Sequence, residues 1–317
     1  MSEPDNRLIL IDGHALLYRA FFAFPTLTTK SGLIVNAIYG FTRVLLSVIK
    51  DQNPKYLAVA FDTPKPTFRH TQFVGYKAQR KEMPEELQGQ IDGVKEIVKV
   101  LNIPQFSIDG FEADDVIGTL AKNVTAGCKE GKPGTHVLIV TGDKDAFQLV
   151  NDCIHVLVPP HGKQGEQEFD PAAVEAKMGV KPDQIVDYKA LSGDPSDNIP
   201  GIAGIGPKTA VRLLQEYDTL DNLYQEIKDK TNTVQNSKVL KNAVLTKVVE
   251  GYESAKLSQM LAQIDTAVPI KINLDDCRVS GYDKAKTVEK FNEFEFNSLI
   301  KYLPPDEVES LVMDSLF

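Results

Sequence analysis

The sequence predicts an α/β fold in two parts, a parallel-sheet core followed by a largely helical subdomain, and three observations support it. Short aliphatic runs recur at Leu8–Ile11, Leu57–Phe61 and Val137–Val140, each four or five residues long, the pattern of strands buried on both faces of a parallel sheet. Between them lie helical periods: Ile34, Ile38, Phe41, Leu45 and Val48, then Ile91, Val94, Val98 and Leu101 after Pro84, with apolar residues three and four apart. Beyond about Pro159 the strand-like runs cease and helical patterns take over. Alternating strands and helices imply right-handed crossovers in one sheet.

The second part reads as helices over 171–178, 182–191, 207–217, 220–227, 239–249 and 253–262, with residues 228–237 a polar surface loop. A short strand near Ile270 and a helix over 291–302 complete the chain. This gives a core over residues 1–170, a subdomain over 171–290 and a tail over 291–317.

At 317 residues, 42% apolar and 25% charged, the composition is that of a soluble globular protein. Nothing approaches the roughly 18 apolar residues of a membrane span. Glu3 and Asp5 stand where a secretory signal would be basic, so a cytoplasmic protein without a membrane partner is expected. Cys128, Cys153 and Cys277 form no CxxC pair, which argues against both zinc and a disulfide framework. The net charge of -9 argues against nucleic acid only if charge is spread evenly. It is segregated: residues 65–81 carry Lys65, Arg69, Lys77, Arg80 and Lys81 and no acid.

The acids fall where strands end. Asp12, Asp62 and Asp143 follow the three aliphatic runs, and ligands of open α/β sheets bind outside the carboxyl ends of the strands. A single such Asp is usually a turn former or helix cap; three on successive strands ask for more. Glu112, Asp114 and Asp115 open a helix, Asp145 lies two residues past Asp143, and Asp194 and Asp197 share a Gly-Asp-Pro turn. Gathered in one cleft, nine carboxylates would repel one another until cations neutralised them. With no histidine or cysteine among them, the donor set selects Mg²⁺ or Mn²⁺. Two such ions suit in-line cleavage of a phosphodiester, with Asp12 among the catalytic groups.

The basic run interleaves aromatics with cations, which suits a single strand. Lys77 and Arg80 are candidates for stabilising charge on the transferring phosphate, with Arg69, Tyr76 and Lys81 beside them for DNA contact. Residues 201–209 (GIAGIGPKT) are not a P-loop, because Pro207 separates Gly206 from Lys208. They read as a glycine hairpin between helices, with Gly204, Gly206, Lys208, Thr209 and Arg212 holding a backbone phosphate without sequence readout.

Taken in order, Ile11-Asp12-Gly13-His14 through Tyr18-Arg19, Phe61-Asp62, Phe68-Arg69-His70, Tyr76-Lys77-Ala78-Gln79-Arg80, Glu112-Ala113-Asp114-Asp115, Thr141-Gly142-Asp143-Lys144-Asp145, Ser192-Gly193-Asp194 and Asp197-Asn198 resemble the 5′-nuclease domains at the N-termini of bacterial DNA polymerases I, within the flap endonuclease family. The resemblance runs from about residue 7 to 300. It implies a PIN-like core with a helical arch over about 65–105, and a helix–hairpin–helix subdomain that grips duplex DNA, often with K⁺. It makes the nine acids ligands of two Mg²⁺ or Mn²⁺ ions, sets Lys77 and Arg80 at the scissile phosphate and puts Tyr18 and Arg19 on DNA. The substrates implied are 5′-flap and other branched DNA, nicked duplexes and RNA primer–DNA hybrids in replication and repair. The setting implied is a monomer at the nucleoid, either leading into a polymerase portion after residue 317 or free-standing. A PIN-type ribonuclease would share the acids but not the hairpin, and a non-catalytic branch-binding module would be expected to lack some ligands.

Overall fold

The computed structural model describes residues 5–128, 135–160, 165–279, 281–306 and 309. Its sheet holds β1 (Asp5–Asp12), β2 (Pro54–Ala60), β3 (Gln105–Phe106), β4 (His136–Val140), β5 (Ile154–Val158) and β6 (Gln167–Phe169) in the order β3-β2-β1-β4-β5-β6. All neighbours are parallel except β6, which runs antiparallel on β5.

β1 shows why the run Leu8–Ile11 is continuously apolar. Leu8 and Leu10 face one core, with Ala58, Val137, Ile139 and Val116. Ile9 and Ile11 face the other, with Leu57, Leu138, Phe41 and Val94. With a period of two, a strand covered on both faces has no position for a polar residue until it leaves the sheet. The first charge after the apolar run is Asp12, the last residue of β1. Because β2 and β4 flank β1 on opposite sides and the chain crosses in opposite directions to reach them, the carboxyl ends of β1 and β4 border the crevice where such sheets take ligands.

The core's helices are α1 (Gly13–Ala23), α2 (Asn36–Gln52), α3 (Phe68–Gln72), α4 (Glu85–Gln88), α5 (Ile91–Val100) and α6 (Ala113–Val124). The second part contributes α7 (Pro171–Met178), α8 (Ile185–Ser192), α9 (Pro207–Tyr217), α10 (Leu220–Asp229), α11 (Asn232–Asn236), α12 (Ala243–Glu250), α13 (Tyr252–Ala262) and α14 (Lys284–Glu293). α8 packs on α9 and α13, and their apolar faces share the cluster that includes Val116 and Ile139. No helix among the described residues is long and apolar enough to cross a membrane.

Several elements differ from expectation. Strands β3, β5 and β6 were not anticipated; β3 and β6 are two and three residues long, and His155 interrupts the aliphatic signal of β5. Over the expected 291–302, α14 ends at Glu293 and a 3-10 turn covers Ile300–Tyr302. Phe291, Phe294, Phe296 and Leu299 pack instead into the core beside Ile38 and Val94. Part of the polar loop forms the five-residue α11, capped by Thr231. The arch region, 65–105, is no continuous pair of long helices: α3 and α4 are five and four residues, and α5 buries Val94, Ile97 and Val98. Pro84 and the turns around Gly75 and Gly89 interrupt it. Cys128 and Cys153, expected to be unpaired, are joined in a disulfide across 25 residues. Scattered spacing was no guide: Cys153 immediately precedes β5, whereas Cys128 lies after α6, well before β4.

Candidate active site

Asp12 does two jobs. As N-cap of α1 its Oδ1 accepts from the Ala15 amide at 2.9 Å, and Oδ2 accepts from Thr141 Oγ at 2.9 Å. Burial, then the charges of Asp62 and Asp143, push its carboxyl up to about 7 against those two hydrogen bonds. The cap reading and the cluster reading are therefore both true of Asp12. Asp62 Oδ1 accepts from the Ala113 amide at the start of α6, 2.8 Å away. The Asp62 amide donates to His14 Nδ1 at 3.0 Å, and burial lowers the imidazole's proton affinity. Asp143 caps the short helix that follows it, accepting from the Asp145 amide, while its own amide donates to Thr141 Oγ.

Asp114 completes the cluster. Burial, then Asp12, Asp143 and Asp145, push its carboxyl well above the usual range, with Lys77 opposing. Asp145 is raised to about 7 by burial, which outweighs the nearby Lys189. Burial also works against Asp194, but Lys189 and Ser196 hold its carboxyl below the usual range.

Three cations stand among these acids. Lys77 Nζ lies 2.8 Å from Glu112 Oε1 and 3.7 Å from Asp197 Oδ2. Its backbone is left-handed (φ 54°) and donates to the Asp197 carbonyl at 2.9 Å, a strained conformation of the kind held at functional sites. Arg80, half exposed, pairs with Asp197 Oδ1 at 2.6 Å. Lys189, on α8, bridges Asp145 and Asp194, the latter at 2.6 Å. Sequence reasoning missed Lys189; a lysine in a helix's last turn usually answers only the helix dipole, and its partner Asp145 is 44 residues away.

Three expected roles are corrected. Asp115, taken as a metal ligand, is fully buried. Its oxygens accept from Arg69 at 2.7 and 2.8 Å, from the Glu112 amide at 3.0 Å and from the Asp265 amide at 2.8 Å. A carboxylate has about four lone-pair sites, so none is left for an ion. Arg69, taken as a DNA contact, is 2% exposed, and besides Asp115 it donates to the Leu261 and Gln263 carbonyls. It locks the core to the end of α13. Tyr76, taken as a stacking ring, is 3% exposed, its hydroxyl donating to Glu112 and Asp197. Of the other expected DNA contacts, Lys81, Gly204, Gly206, Lys208 and Arg212 are exposed, and Tyr18, Arg19 and Thr209 half-buried. Arg19 donates to the Pro159 carbonyl.

The hairpin itself is tight. Asp194 and Ile199 exchange backbone hydrogen bonds at 2.9 Å, and Gly201, at φ 61°, passes so close to Gly193 that a Cβ would sit 2.6 Å from its Cα. The same turn thus supplies Asp194 and Asp197 to the acidic cluster and Gly204–Gly206 to the surface. Eight acids, with Asp115 set apart, line the carboxyl edge of the sheet and the adjoining turn.

A resolvase-like α/β core carrying such an edge, followed by a helical subdomain that contains a glycine hairpin, defines the class. The description "5′-3′ exonuclease, N-terminal resolvase-like domain" matches residues 7–179, and "5′-3′ exonuclease, C-terminal SAM fold" matches residues 180–285. The chain belongs to the 5′-3′ exonuclease family. It is 40% identical over 304 residues to DNA polymerase I of Caldicellulosiruptor bescii, covering 95% of this chain and 34% of that protein. With DNA polymerase I of Bacillus subtilis it is 37% identical over 305 residues, 96% and 33% of the two chains. The chain spans about a third of the length of these curated relatives. Among solved structures, T5 D15 protein co-crystallised with metal ions superposes with a TM-score of 0.65 at 19% identity, covering 94% of this chain and all of that one. The catalytic core of Rad2 with DNA substrate gives 0.55 at 16% identity, covering 98% and 92%. These two likenesses show the fold.

Proposed function

We propose that this chain is a divalent-metal-dependent 5′-nuclease that hydrolyses phosphodiesters of branched DNA: 5′ flaps, nicked duplexes and RNA primers on DNA. One observation carries the reading. Asp12 is buried and Asp114 and Asp145 are half-buried beside it, their carboxyls raised by burial and by the charges of neighbouring aspartates, an arrangement that costs stability unless cations are bound. The T5 D15 flap endonuclease in complex with DNA and metal ions supports the same assignment by its fold.

The donor set fits hard divalent ions, because every candidate ligand is a carboxylate. Asp12, Asp62, Glu112, Asp114, Asp143, Asp145, Asp194 and Asp197 would hold two Mg²⁺ or Mn²⁺ ions. When bound, such ions supply an ionised water and neutralise charge on the phosphate. The chain's own residues do the rest. Lys77 and Arg80, resting on Glu112 and Asp197, exchange carboxylate for phosphate oxygens and stabilise charge as the P–O bond breaks. Lys189 keeps Asp145 and Asp194 paired. Lys208, Arg212 and the amides at the start of α9 grip the duplex backbone. Lys247 Nζ donates to the Gly204 carbonyl, a position suited to a monovalent cation such as K⁺. Residues 171–290 form the duplex-binding part, Tyr18 and Arg19 meet the DNA near the cleft, and the protein works as a monomer at the cytoplasmic nucleoid.

A 5′-flap duplex tests the reading. With Mg²⁺ the protein should cut near the junction and leave a 5′-phosphate; with Ca²⁺ it should bind without turnover. Asp143→Asn should abolish cutting and leave binding intact. Cleavage in chelator, or by that variant at the original rate, would defeat the proposal.

A further inference from the structure

At the amino edge of the sheet, opposite the carboxylates, lies a second set of ligating side chains. Cys128 follows α6, His136 opens β4 and Cys153 immediately precedes β5. Among the described residues they form a group that could hold a metal ion, with their ligand atoms all within 4.8 Å of one another. Cys128 Sγ lies 4.0 Å from His136 Nε2 and is bonded to Cys153 Sγ. A cavity of about 210 Å³ opens beside them, lined by His136, Cys153, His155 and Glu168. His155 Nδ1 pairs with Glu168 Oε1 at 2.7 Å. None of these residues takes part in the carboxylate cluster.

We propose that Cys128, Cys153 and His136 form a redox-gated site for a soft divalent cation of the zinc class. In the oxidised state the cysteines are joined and cannot ligate. A dithiol reductant donates two electrons and two protons, breaking the S–S bond to two thiols while becoming a cyclic disulfide itself. Zn²⁺ then displaces both thiol protons and is held by two thiolates and the His136 imidazole, with a fourth position facing the cavity. Tetrahedral zinc with Zn–S near 2.3 Å and Zn–N near 2.0 Å sets its ligands roughly 3.5–4 Å apart. Cys128 Sγ and His136 Nε2, 4.0 Å apart, already meet that spacing, and the two sulfurs must part by roughly 1.5–2 Å once the S–S bond opens. The chemistry is selective: thiolate and imidazole favour zinc, whereas the carboxylate cluster favours Mg²⁺. The two sites therefore answer to different ions in one chain.

Cobalt(II) reads the site directly, because only thiolate ligation gives an intense sulfur-to-cobalt charge-transfer band. The whole chain, reduced with a phosphine and kept in excess Mg²⁺ to fill the carboxylates, is titrated with Co²⁺ and then with Zn²⁺. The expected result is one equivalent of the band, bleached by one equivalent of Zn²⁺ and absent from protein left oxidised. Cys128→Ser and Cys153→Ser should each abolish it, while Cys277→Ser should keep it, since Cys277 is a separate buried thiol. Outer-shell partners alone are worth about 10–100-fold in metal affinity, so losing the His136 ligand through His136→Ala should weaken binding at least about tenfold. No band in the reduced protein, or a band that survives Cys128→Ser, overturns the proposal.

Discussion

At the scale of single residues, two adjacent aspartates show how little spacing says about direction. Asp114 and Asp115 both open α6, yet Asp114 faces the other acids and Asp115 is saturated by Arg69 and two amides. Their amide variants should behave oppositely. Asp115→Asn strands a buried Arg69, and breaking one side of a buried pair costs about 3–5 kcal/mol, so thermal unfolding should shift well downward. Asp114→Asn removes a repelled carboxylate and should leave the metal-free protein as stable as the parent or more so, while flap cleavage disappears. Equal melting temperatures for the two variants would return Asp115 to the metal site. Lys77→Ala should likewise separate roles: a loss in the single-turnover cleavage rate exceeding the loss in flap affinity assigns it to the phosphate at the moment of reaction. Neither Asp115's partner nor Lys189's was legible in the sequence. Arg69 lies 46 residues from Asp115 and Lys189 lies 44 from Asp145; only the fold brings them together.

At the scale of elements, what repeated in the chain could be read. Asp12, Asp62 and Asp143 were found because parallel strands buried on both faces must leave the sheet before a charge is tolerated, and each does so on the same edge. Short or interrupted elements escaped, β3 and β6 because two or three residues carry no period, and α14 because its sparse buried positions, Thr287 and Phe291, give a weak apolar stripe. The glycine hairpin was legible as a turn, but not which glycine is indispensable. Gly201 has a left-handed backbone and no room for a methyl group, whereas a Cβ on Gly206 would meet nothing. Gly201→Ala pays roughly 1–2 kcal/mol for its backbone alone and must also displace Gly193, moving Asp194. It should lower both the melting temperature and the cleavage rate. Gly206→Ala should leave the melting temperature within about a degree and weaken duplex binding only. If Gly201→Ala bound and cut DNA at the parent's level, the hairpin would not be the element that positions Asp194.

For the whole molecule, the buried acids tie stability to pH and to divalent ions. Asp12 and Asp145 have carboxyls near 7 in the folded protein against an ordinary value of 3.8. Below that ordinary value both are protonated whether folded or not, so their contribution to stability is fully present. Between the two values the folded chain keeps a proton that the unfolded chain releases, so stability falls as pH rises, and is lost above about 7. Few other carboxylates titrate between about pH 5 and pH 8; histidines do, so the cluster is read as the part of the dependence that Mg²⁺ reverses. In chelator, the melting temperature should therefore be higher near pH 5.5 than near pH 8. Mg²⁺ should reverse the order, because it binds only ionised carboxylates and each binding event expels protons. Calorimetric titrations in buffers of different ionisation enthalpy should count protons released on Mg²⁺ binding near pH 6.5 and few near pH 8.5. A melting temperature in chelator that rises steadily from pH 5.5 to 8 would mean these acids are solvated and apart, and the shared cation site they argue for would fall with them.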